Sequence, residues 1–73
     1  MDWKAIKGFE GLYWINRNGE IKNRHGKILA KTVLDGGLQV VDLYGNGQRV
    51  RKPINMLLIE AYPEMFEEEQ NER

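Results

Sequence analysis

The sequence has no cysteine and one histidine, His25. The first absence removes disulfides and thiol nucleophiles. The second removes any multi-histidine metal site. A cysteine-free chain fits a reducing, cytoplasmic compartment. No apolar run approaches the ~20 residues needed to cross a bilayer. The opening Met1-Asp2-Trp3-Lys4 lacks the basic-then-apolar plan of a secretion signal. The expectation is a soluble protein with no membrane partner, no small-molecule substrate, no metal and no cofactor. With 73 residues, one domain is the sensible count, and its core is near the lower limit of independent stability.

Charge of one sign is missing only on average. The 11 basic and 11 acidic side chains cancel, but residues 1–55 hold ten basic and five acidic groups, and residues 56–73 hold one and six. A basic body followed by an acidic end suggests an anionic partner for the body, or screening by the tail. The bland alternative is two solvated surfaces.

What is present is turn chemistry. Asn18-Gly19 separates the strand-like stretches 12–16 and 20–23, and Asn46-Gly47 separates 38–44 and 48–52. Asn-Gly tolerates the positive φ of a tight hairpin turn. Alternation puts Tyr13 and Ile15 on one side, with Ile21 joining them across the first hairpin, and Val41 with Leu43 on one side of the second. Residues 27–33 read as another strand, and Asp35-Gly36-Gly37 as a turn. The period then changes: Ile54, Leu57, Leu58, Ala61 and Tyr62 make one apolar helical face. Pro53 suits the entry to this helix, Asn55 its cap, and Pro63 its stop. The predicted fold is α+β: a small antiparallel sheet of two hairpins and an intervening strand, packed by one C-terminal helix. The predicted core is Tyr13, Ile15, Ile21, Val41, Leu43, Leu57, Leu58 and Ala61, with Trp3 pinning the chain end. Residues 1–63 form the domain and 64–73 an acidic, solubilising tail.

The basic residues cluster at the turns and the last strand. Lys22, Arg24 and Lys27 surround the turn that contains His25; Arg17 is on the neighbouring turn, and Lys31 follows. Arg49 and Arg51 share one face of the last strand. A two-stranded ribbon fits the DNA major groove, where Arg and Lys reach phosphates or guanine edges. Asn16, Asn23 and Gln48 are further candidate contacts. Against this stands the plain reading that these cations only solvate strands and blunt a sheet edge. The glycine pairs lack the strand–loop–helix setting and lysine of a nucleotide loop, so they are turns.

Several segments together resemble the nuclease-associated modular domains of the fourth NUMOD class, found N-terminal to the HNH module in many homing endonucleases of phages and introns. They are Trp3-Lys4-Ala5-Ile6, Gly8-Phe9-Glu10-Gly11-Leu12-Tyr13, Asn16-Arg17-Asn18-Gly19, Gly26-Lys27-Ile28-Leu29, Gly37-Leu38-Gln39-Val40-Val41-Asp42-Leu43 and the helix 55–62. The order and spacing of these pieces, over residues 3–63, carry the resemblance. It implies a double-stranded DNA partner, a phage-type origin with the host cytoplasm as location, and binding without catalysis, since the HNH residues have no counterpart here. The expected DNA-binding residues are Arg17, Lys22, Arg24, Lys27, Lys31, Arg49 and Arg51.

The chain departs from that pattern in ways that support a second reading. Asn55-Met56 stands where the family helix begins His-Arg. Trp14, Val40 and Val50 are apolar where the family is polar, and Ile59 replaces a small residue. Leu12, Trp14 and Val40 are thus candidates for one exposed apolar surface, and Met56 with Ile59 for another. The alternative function is a protein-interaction module, such as a regulator or inhibitor of a host protein, or a homodimer.

Overall fold

The computed structural model describes residues 2–67. The fold is α+β. Two three-stranded antiparallel sheets sit against one short helix. The first sheet has β1 (Lys4–Ala5), β2 (Tyr13–Ile15) and β3 (Ile21–Asn23) in spatial order. The second has β4 (Thr32–Val33), β5 (Gln39–Gly45) and β6 (Gln48–Pro53). β6 runs directly into α1 (Ile54–Ala61), and a 3-10 turn follows at Pro63–Phe66. Among the described residues, no helix is long and apolar enough to cross a membrane.

The two hairpins form where alternation places them. Ile15 pairs with Ile21, and both are buried. Val41 and Leu43 are buried on the inner side of β5, with Val50 opposite Leu43. Asn46 and Gly47 both take positive φ, 54° and 75°, which matches the right-handed twist of the flanking strands. The first hairpin closes differently. Asn18 is not at positive φ; only Gly19 is, at 81°. Its loop is therefore three residues long, a tight turn followed by a left-handed glycine.

The core joins both sheets and the helix through Ile6, Phe9, Tyr13, Ile15, Ile21, Val41, Leu43, Ile54, Leu57 and Tyr62. Leu58 and Ala61 pack at its margin. Phe9 meets Tyr13 edge to face, with centroids 5.9 Å apart. The Tyr13 hydroxyl accepts the Tyr44 backbone N–H at 3.1 Å, tying one sheet to the other. Gly45 allows this closeness: a Cβ there would lie 3.1 Å from the Phe9 ring.

Tyr62 fastens the chain's ends together. It is fully buried, and the carbonyls of Asp2 at 2.7 Å and Ile15 at 2.9 Å share the single proton of its hydroxyl. Lys4 Nζ and the Arg17 guanidinium lie 5.2 and 4.8 Å from its ring centroid. Burial pushes the phenol pKa up, so it remains a neutral donor.

Four expectations need correction. Residues 27–33 are not one strand. Ile28 bridges Lys22, Leu29 N–H bonds the Ile21 carbonyl at 2.8 Å, and Thr32–Val33 then joins the other sheet. The chain crosses between sheets within this stretch, so no single ladder can hold it. Asn55 does not cap α1: it lies inside the helix, and Pro53 occupies the cap position in extended conformation without a side-chain bond. Trp3 is half-buried rather than core, because Lys4, itself exposed, stands opposite Ile15 on the core side of the sheet and alternation puts Trp3 on the other side. Val40 is 2 % exposed. It sits on the central strand, between Thr32 of β4 and Pro53 of β6, so it offers no surface.

Candidate nucleic-acid interface

The clearest local device occurs twice. Asn16-Arg17-Asn18-Gly19-Glu20 and Asn23-Arg24-His25-Gly26-Lys27 fold into the same turn. In the first, Asn16 Oδ1 accepts the N–H groups of Asn18 at 3.0 Å and Glu20 at 2.9 Å. In the second, Asn23 Oδ1 accepts those of His25 at 2.9 Å and Lys27 at 3.0 Å. The backbone bonds repeat too: Gly19 N–H to Asn16 O at 3.0 Å and Asn16 N–H to Glu20 O at 3.0 Å, against Gly26 to Asn23 at 2.9 Å and Asn23 to Lys27 at 3.0 Å. Gly19 and Gly26 take φ of 81° and 83°, where a Cβ is strained. An asparagine that accepts two backbone N–H groups fixes the turn, and each turn displays an arginine at its second position.

The turns lie at opposite ends of β3, and their surroundings differ. At the first, Arg17 is engaged: its Nη2 is 2.9 Å from Glu64 Oε2, and its guanidinium lies over Tyr62. A backbone bond and the Arg17 contact hold the Glu64 carboxyl below its ordinary pKa. Lys31 also approaches this turn, its Nζ 3.7 Å from where a Cβ on Gly19 would be. At the second turn, Arg24, His25 and Lys27 are exposed. Among the described residues, Arg24 and Lys27 have no ion-pair partner.

Two clefts flank Arg24. One, of about 280 Å³, is lined by Trp3, Trp14, Lys22, Asn23, Arg24 and Gly26. The other, of about 230 Å³, is lined by Leu12, Tyr13, Asn23, Arg24, His25 and Tyr44. No carboxylate among the described residues lines either one. Tyr44 pairs across the strands with Arg49, and Asp42 with Arg51. Arg49 and Arg51 share the outer face as expected, but Arg51 is neutralised by Asp42, with Nε–Oδ1 at 2.8 Å and Nη2–Oδ2 at 3.3 Å. The bidentate bond holds the Asp42 carboxyl below its ordinary pKa.

Of the seven cations expected to bind DNA, Lys22 and Arg24 line the clefts at the second turn, and Arg49 is the cross-strand partner of Tyr44, which lines one of them. Lys27 is on the same turn. Arg17 and Lys31 stand at the other end of β3, and Arg51 is paired. Of the apolar candidates, Trp14 lines a cleft, Met56 and Ile59 are 52 % and 46 % exposed on α1, and Val40 is buried. Sequence reasoning missed the twin turn itself. The signal was there, as Asn-Arg-x-Gly repeated at a spacing of seven.

The NUMOD4 motif matches residues 1–44, which include both twin turns. This chain belongs to the NUMOD4 family. The NUMOD4 chain is 30 % identical over 69 residues to DNA endonuclease I-HmuI of Bacillus phage SP01, covering 93 % of this chain and 40 % of that protein. A solved structure described as DNA binding and cleavage by the HNH homing endonuclease I-HmuI matches with a TM-score of 0.78 at 28 % identity, over 85 % of this chain and 36 % of that one. The NUMOD4 chain thus spans about two-fifths of the relative's length.

Proposed function

We propose that this NUMOD4 chain is a double-stranded DNA-binding module whose contact surface centres on the second twin turn. One observation carries the reading: Asn23 holds Arg24 on an exposed turn one residue from Lys22, and Arg24, His25 and Tyr44, the cross-strand partner of Arg49, line a carboxylate-free cleft beside it. Guanidinium groups fixed in this way suit phosphate oxygens or guanine edges. Kinship with a DNA-binding endonuclease supports the same partner. The proposal is for binding alone. Among the described residues, no three of His, Cys, Asp and Glu lie close enough together to hold a metal ion.

The test is an NMR titration with a random-sequence duplex at low and near-physiological salt. Shifts centred on Lys22, Arg24, His25, Lys27 and Arg49, shrinking as salt rises, are the expected result. A spectrum unchanged at low salt overturns the proposal.

A further inference from the structure

The outer face of the first sheet carries two indoles that the proposed duplex contact does not use. Trp14 stands opposite Ala5 on one side and Lys22 on the other. All three point away from the core side of the sheet, where Tyr13, Ile15 and Ile21 are buried. Trp3 shares this outer face, and Lys22 reaches back to place its Nζ 4.4 Å from the Trp3 ring centroid. With Arg24 and Asn23, the two indoles line the cleft of about 280 Å³. Both rings are half-buried, so each keeps an open portion towards solvent.

We infer that this cleft binds an unpaired nucleotide, as presented by single-stranded DNA. The indoles offer a stacking surface for the base, and Lys22 and Arg24 offer charge for the flanking phosphates. The volume is just below the ~300–1,000 Å³ of pockets that take drug-sized ligands, which suits one planar base. Inside a duplex, both faces of a base are covered by its neighbours, so only an unpaired base can stack there. The charge narrows the occupant further: two cations and no carboxylate line the cleft, which favours an anionic strand over an apolar protein segment. This site shares Lys22 and Arg24 with the duplex surface proposed above, and the two indoles are what it adds.

The chain supplies its own probe. Its two tryptophans both line this cleft, so intrinsic fluorescence reports on it without a label. The whole protein is titrated with an oligothymidylate of about eight nucleotides, within the range of single-strand site sizes. A blunt duplex is followed in parallel by anisotropy. The expected result is quenching by the oligothymidylate that weakens about tenfold in Trp14→Leu and much less in Trp14→Phe. Unquenched emission at low salt overturns the inference, as does quenching that Trp14→Leu leaves intact. Emission that shifts to the blue as protein concentration rises, with a dimer mass in light scattering, assigns the face to a second copy and also overturns it. Duplex binding without quenching removes this site alone. Quenching without duplex binding removes the proposed function alone.

Discussion

The two Asn-Arg-x-Gly turns share one backbone and differ in what they are attached to. In the first, the asparagine is 1 % exposed and its amide donates to Glu20 at 2.8 Å. The arginine beside it is held between Tyr62 and Glu64. In the second, the asparagine is half-buried and the arginine is exposed. The same local sequence thus makes a structural joint at one end of β3 and a presented cation at the other. Local hydrogen bonds specify the turn, while distant residues decide whether its arginine serves packing or recognition.

The largest test of that contrast is to remove each asparagine. Asn16→Ala strips two backbone N–H groups of an acceptor that is itself buried and is expected to cost about 2 kcal/mol or more. Asn23→Ala strips the equivalent groups where water can replace the acceptor, and about 1 kcal/mol is expected. Urea denaturation of both variants measures the difference. Equal losses would show that the turns are structurally equivalent.

The next test concerns the arginines and DNA. Arg24→Gln is expected to weaken duplex binding about tenfold and lower the salt slope by about one. Arg17→Gln is expected to weaken it about twofold or less, because Arg17 must first leave Glu64. Anisotropy across a salt series reads both. The opposite ranking would move the contact surface to the helix end of β3.

Much of this architecture was legible in the sequence. Asn-Gly pairs and alternation located both hairpins, and Ile54, Leu57 and Ala61 located the helix. These signals are local. Two sheets instead of one, and the buried Val40, depend on the chain crossing between ladders around residues 30–31, where no periodicity marks the change. The cations posed the same difficulty. Arg17 and Arg24 look alike in sequence, and the partner that separates them, Glu64, lies 47 positions beyond Arg17. Arg51 was expected to be available, and Asp42, nine residues before it, occupies it. The acidic run beyond residue 67 lies outside the described residues, but Glu64, placed in the tail by sequence, contributes to the first turn.

The smallest effects come from that contact. Glu64→Gln removes the charge that restrains Arg17, so duplex affinity is expected to rise slightly, and melting temperature at neutral pH to fall slightly. The pH dependence follows from the lowered Glu64 pKa. A carboxyl whose pKa is lower in the folded state stabilises the fold above its unfolded value, and that stabilisation is lost as pH falls through the folded value. The melting-temperature gap between wild type and Glu64→Gln should therefore be complete at neutral pH and close in acid, below the ordinary carboxylate range. Asp42, similarly lowered by Arg51, titrates in both proteins and cancels from the comparison. Both partners of the Arg17–Glu64 pair are about half exposed, so the gap should also shrink with added salt. Melting curves at several pH values and two salt concentrations decide the matter. A gap that persists in acid would mean that the carboxylate charge is not what separates the two proteins.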